Sequence, residues 1–132
     1  MKLAIGTDDK KTIRKGHFGE SRYYLVIEIF NAQVSAKDFR NNPYVEGEKA
    51  GAHHGQSEPI IKLLEDCALF MARNFGKRSV QEITSRGMDC ITTNIENIDR
   101  AVSFYLDGKV EAFSYYDPGA NDYLKCSQRP YK

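Results

Sequence analysis

Apolar positions change their period along this chain, and the changes mark its elements. Residues Tyr23–Phe30, YYLVIEIF, are aromatic and β-branched and predict a strand. The NAQ that follows turns the chain, and Val34–Arg40 alternates as an edge strand does, so the two runs predict a hairpin. Lys2–Ile5 predicts a short first strand, stopped by the polar GTDDKK. Ile60, Ile61, Leu63, Leu64 and Cys67 then recur at helical spacing, with Ser57 as N-cap and Pro59 in the first turn. Ala68–Ala72 is a continuous apolar run, the pattern of a strand covered on both faces. Ser79–Gly87 predicts a short helix with Ser79 and Glu82 at capping-box spacing. Met88–Thr93 predicts another strand. The last helix is expected to be capped by Asn94 and closed near Gly108, with Ile95, Ile98, Val102, Tyr105 and Leu106 as its apolar stripe.

The resulting order is β-β-β-α-β-α-β-α, a hairpin followed by βαβ units. Right-handed crossovers place helices on both faces of a mixed sheet. Ligands of such sheets usually lie at the loop rim where the parallel strands end. Two segments stand outside this scheme. Asn41–Pro59 has three glycines, two prolines and no apolar periodicity, and a segment of that length inside a compact domain is usually functional or mobile. Lys109–Lys132, with four tyrosines, is expected as an appended tail, packed through its aromatics or partly disordered.

Composition narrows the class. At 132 residues the chain is expected to fold as one domain, and 41% apolar and 28% charged residues are ordinary for a globule. A net charge of +1 gives no global attraction to nucleic acid or anionic lipid. No apolar run is long enough to span a membrane, and the N-terminus turns polar too soon for a signal peptide, so a cytoplasmic protein is expected. The three cysteines, Cys67, Cys90 and Cys126, have no CxxC spacing, which argues against a disulfide framework and a zinc knuckle. Cys67 and Cys90 read as small buried hydrophobes and Cys126 as exposed.

The three histidines carry the chemistry. His17 lies in KGHFGES, and the adjacent His53 and His54 lie in AGAHHGQS. Both loops are glycine-flanked, through Gly19 and Gly55, and glycine lets backbone approach a bulky ligand. Imidazole suits iron, copper, zinc and nickel. Two adjacent histidines do not easily chelate one small ion, so a wide inorganic cluster, or a site using one of the pair, fits better. HHGQS and RNFGKRS each lead into a helix N-terminus, where free N–H groups and partial positive charge gather. Arg73, Lys77 and Arg78 add full charges, so Arg73, Asn74, Gly76 and Lys77 are candidates for an anion cradle.

In HFGESRYYLVIEI, NNP, HHGQSEPIIKLLED, ALFMARNFGKRS, RGMDCITT and AVSFYLDGKV, taken in order, the chain resembles the nitrogenase iron–molybdenum cofactor biosynthesis accessory family over about residues 1–110. The resemblance implies a ribonuclease H-like α/β fold with a mixed five-stranded sheet, and leaves 111–132 as a tail. It implies non-enzymatic binding or carriage of an iron–sulfur or molybdenum-containing cluster, passed between donor and acceptor proteins. His17 matches the histidine of the HFG loop and His54 that of the HG loop, with His53 an extra neighbour. The loop RNFG replaces a smaller, glycine-rich one, so Arg73 and Phe75 are expected to narrow the pocket.

Two other readings stand beside this one. A metal-free regulatory or interaction domain fits the tail and the sparse ligand set. A ribonuclease H-like nuclease needs carboxylates converging on two magnesium ions, and Asp8, Asp9, Glu28 and Asp89 are the candidates. An edge strand near Val34–Arg40 offers a pairing surface for a weak dimer, which Lys37 and Asp38 oppose, so the chain is expected as a monomer or weak dimer.

Overall fold

A computed structural model describes residues 1–44 and 58–128. One sheet of seven strands runs through it, not five. In chain order the strands are β1 (Lys2–Thr7), β2 (Tyr23–Phe30), β3 (Gln33–Asn41), β4 (Leu69–Ala72), β5 (Asp89–Thr93), β6 (Phe113–Asp117) and β7 (Asp122–Lys125). In space the order is β3-β2-β1-β4-β5-β6-β7. β1, β4 and β5 are parallel, and the remaining pairings are antiparallel.

The strand count exceeds expectation because the tyrosine-rich C-terminal segment pairs with β5. Tyr115 and Tyr116 of β6 are buried, and Tyr116 meets Tyr123 of β7 edge to face. The β6–β7 turn is fastened to the domain by Asn121, whose Oδ1 accepts from Tyr116 Oη and from Gln81 Nε2.

Among the described residues three α-helices cover the sheet: α1 (Glu58–Leu63), α2 (Lys77–Ser85) and α3 (Ile98–Leu106). Ile60, Ile61 and Leu64 of the α1 segment and Val80 and Ile83 of α2 pack with Ala4, Val26, Phe70 and Cys90. On the other face Ile98, Ala101 and Val102 of α3 pack with Leu3, Ile5, Met71 and Ile91. Neighbouring residues of β1 and β4 thus serve opposite cores, which is why Leu69–Ala72 is apolar without a break. Among the described residues no helix is long and apolar enough to cross a membrane.

Two expected caps are displaced. α2 starts at Lys77 with Gly76 as N-cap, so Ser79 lies inside its first turn and Glu82 pairs instead with Arg86 at 3.1 Å. α3 is capped by Asn97, whose Oδ1 accepts from the Arg100 amide at 2.8 Å. Asn94 is too early because the Thr93 hydroxyl captures the Ile95 amide and holds that turn outside the helix. The expected cap Ser57 lies outside the described residues. The β2–β3 hairpin closes through Asn31 and Ala32, both at positive φ (53° and 59°), as a two-residue turn between right-twisted strands requires.

Candidate functional site

β1, β4 and β5 end at one rim, and the antiparallel β2 begins there. The loop between β1 and β2 carries HFG. Its phenylalanine explains its position. Phe18 is buried among Tyr24, Phe70 and Phe75, with ring centroids 4.9, 5.1 and 5.3 Å away. Its carbonyl accepts from Ser21 Oγ and Tyr24 Oη, both at 2.8 Å. Burial pushes the Tyr24 phenol up, so it stays a donor. With Phe18 anchored inward, the preceding His17 is exposed at the rim.

Three further contacts set the histidine's backbone. Arg14 Nε donates to the His17 carbonyl at 3.1 Å, while Arg14 Nη1 reaches Asp8 at 2.6 Å. The Phe18 amide donates to the Asn74 carbonyl at 3.0 Å, and His17 and Asn74 form a parallel bridge. Gly6 of β1 allows the loop to sit close, since a Cβ there would collide with Ser21 Oγ.

The bridge to Asn74 brings His17 beside the start of α2. A Cβ on Gly76 would lie 3.6 Å from both His17 Nδ1 and Ser79 Oγ, so imidazole and hydroxyl flank that glycine. Gly76 supplies no side-chain cap, and the first intrahelical bond is Val80 N–H to the Gly76 carbonyl. The amides of Lys77, Arg78 and Ser79 are therefore left by the helix. Its first turn has no acidic residue, and Lys77 and Arg78 are exposed there. That arrangement opposes the helix dipole, which favours negative charge at an N-terminus. Two cations, three amides and an imidazole together suit an anion.

The structure distributes the other candidates unevenly. Gly19 lies in the same loop as His17, beside a clamp the sequence did not reveal. Buried Asn42 donates through Nδ2 to the carbonyls of Gly19 and Ser21, at 3.2 and 2.8 Å. Its Oδ1 accepts from the Tyr44 amide, so the chain entering residues 45–57 leaves from beside the HFG loop. His53, His54 and Gly55 lie outside the described residues. Phe75 does not narrow a pocket, because it is buried with its ring tilted beside that of Phe18, tying the two loops together. Arg73 pairs with Glu96, its Nη1 3.6 Å from that carboxylate.

The cysteines contribute no thiolate to this rim. Cys67 and Cys90 are buried; burial, with Asp66 close by, pushes the Cys67 thiol up to about 11, and burial raises Cys90 further. Cys126 is half-buried and packs in the α3-side core instead of standing exposed. The four carboxylates proposed for magnesium do not converge. Asp8 and Asp9 follow β1 at the rim, whereas Glu28 pairs with Lys2 and Asp89 opens β5, both at the opposite end of the sheet. Asp8 is taken by Arg14 and the Arg22 amide, and Asp9 by the amides of Lys11 and Thr12 and the Thr12 hydroxyl. Among the described residues no three His, Cys, Asp or Glu side chains gather as a metal-ion site.

Known proteins share this architecture. An uncharacterized protein of Methanocaldococcus jannaschii, MJ0580, is 24% identical over 115 residues, covering 86% of this chain and 92% of that one. The crystal structure of PH0822 superposes with a TM-score of 0.67 at 21% identity, over 82% of this chain and 92% of that one. The apo form of the orange protein of Desulfovibrio gigas superposes with a TM-score of 0.63 at 16% identity, over 82% and 88%. These likenesses show a shared mixed α/β fold, with a sheet flanked by helices. The family model for the dinitrogenase iron–molybdenum cofactor matches residues 1–108, so the chain belongs to that family, whose role is related to biosynthesis of this cofactor.

Proposed function

We propose that the chain binds an iron–sulfur or molybdenum-containing cluster as cargo and passes it between a donor and an acceptor protein, catalysing no reaction on it. The observation that carries this reading is the meeting of His17 with the uncapped, basic start of α2. A single metal ion needs several ligands converging on it. A preassembled cluster brings its own bridging atoms and needs few from the protein. His17 would supply imidazole nitrogen. Asn74 and Gly76 would shape the floor, Gly19 would leave room for close approach, and Lys77, Arg78 and the amides behind them would offset negative charge. His54 is proposed as a second ligand, with His53 and Gly55 beside it. Few ligands favour release, which a carrier requires. A fold shared with a protein solved in its apo form agrees with an architecture that stands without its bound group.

The test is anaerobic reconstitution followed by desalting, absorption spectroscopy and metal analysis. The reading predicts a visible chromophore with metal retained in fixed ratio to protein. A colourless, metal-free eluate would refute it.

A further inference from the structure

A pocket opens beside Arg73, and β6 and β7, which lie beyond the family match, contribute Phe113, Ser114 and Lys125 to its wall. It encloses about 160 Å³ and is lined by Arg73, Thr92, Asn94, Glu111, Ser114 and Lys125, among others. Thr92, Ser114 and Lys125 face one another across β5, β6 and β7, so their side chains share one face of the sheet. Arg73 comes from the loop after β4. Its Nη1 is buried with no hydrogen-bond partner, since Glu96 at 3.6 Å is too far to accept well. Nη1 is closed to solvent, so a ligand in the pocket would meet the rest of the Arg73 side chain that lines it. No ion pair engages Lys125 among the described residues. Arg73 and Lys125 are its cations; Glu111 in its wall and Glu96 beside Arg73 are the opposing charges, and both are exposed.

We propose that this pocket binds a small tetrahedral oxyanion of the phosphate class, held by Arg73 and Lys125 with the Thr92 and Ser114 hydroxyls. The volume suits one such group. The two glutamates offset part of the positive charge, so a weakly held anion is expected. The pocket lies on the same rim as His17, on the β6–β7 side of Arg73, and its anion binding does not depend on cluster carriage.

The experiment is calorimetric titration of the full chain, free of metal, with inorganic phosphate, sulfate and glycerol phosphate. Saturable one-to-one binding of phosphate is expected. Lys125→Ala and Arg73→Met should each weaken it about tenfold or more, the effect of losing one charge-assisted hydrogen bond. Glu111→Gln should tighten it by removing a repulsive charge. Lys125 is exposed, so its replacement leaves folding intact and keeps the test sound if Arg73→Met is unstable. Tighter binding of glycerol phosphate than of phosphate, with the same dependence on Lys125, would also support the site and assign it to the phosphorylated end of a larger molecule. Absence of saturable binding by all three anions would overturn the proposal. So would binding that both Arg73→Met and Lys125→Ala leave unchanged.

Discussion

The loop between β1 and β2 and the start of α2 lie side by side at one rim, joined by the His17–Asn74 bridge. In the loop, polar groups satisfy one another. Asp9 accepts two amides and a hydroxyl, Asp8 holds Arg14, and Arg14 holds the His17 carbonyl. At the start of α2 the helix leaves its amides uncapped and places Lys77 and Arg78 against its own dipole. The loop uses charge to fix a backbone. The helix start keeps charge in reserve at a cost in stability. The difference separates the acidic pair, weighed as magnesium ligands under the nuclease alternative, from the basic turn proposed as an anion cradle.

Four substitutions or conditions break or sharpen this contrast. The largest effect belongs to Phe18→Ala, which empties the aromatic cluster joining both loops. It should cost about 3–5 kcal/mol, read by chemical denaturation. Next, Gly6→Ala forces the loop off Ser21 and should cost about 1–3 kcal/mol. Adding Ser21→Ala should recover part of that loss, because the clash is with the serine hydroxyl.

Acid should act on the structural carboxylates. Hydrogen bonds from Thr12 and Lys11 hold Asp9 well below the ordinary carboxylate range, and Arg40, then Lys2, do the same for Asp66. A depressed folded-state value means stability that is present above the unfolded carboxyl value, about 4, and is lost as pH falls below it. The urea midpoint should therefore drop on acidification below that value, and less steeply in Asp9→Asn. The smallest effect is the most diagnostic. Lys77→Glu should stabilise the metal-free chain by about 0.3–1 kcal/mol, because it suits the dipole, while weakening cluster retention. A variant that gains both properties would contradict the contrast.

Much of the sheet was legible because β1, β2, β4 and β5 carry aliphatic and aromatic runs whose burial pattern is local. β6 and β7 were not. FSYYD and DYLK are short and partly polar; the place of the first depends on pairing with the distant β5, and that of the second on pairing with the first. Helix starts were misread where a neighbouring side chain competed for the amide, as Thr93 does for Ile95. At the candidate site, the sequence offered the glycine-flanked His17, and the structure leaves it exposed beside the start of α2. Its positioning was not, since Phe18 looked like a loop residue and its ring contacts come from β2, β4 and the loop after β4. Asn42 was hidden for the same reason, because its partners lie about twenty residues away.

The central claim is that His17 is a cluster ligand held beside the α2 N-terminus. The most direct measurement compares metal retained per chain after anaerobic reconstitution and gel filtration in the unaltered protein and in His17→Ala, with circular dichroism confirming equal folding. The account predicts a loss of about tenfold or more in affinity for the variant, the scale of removing a charge-assisted or ligating contact. Equal retention by a fully folded His17→Ala would contradict it.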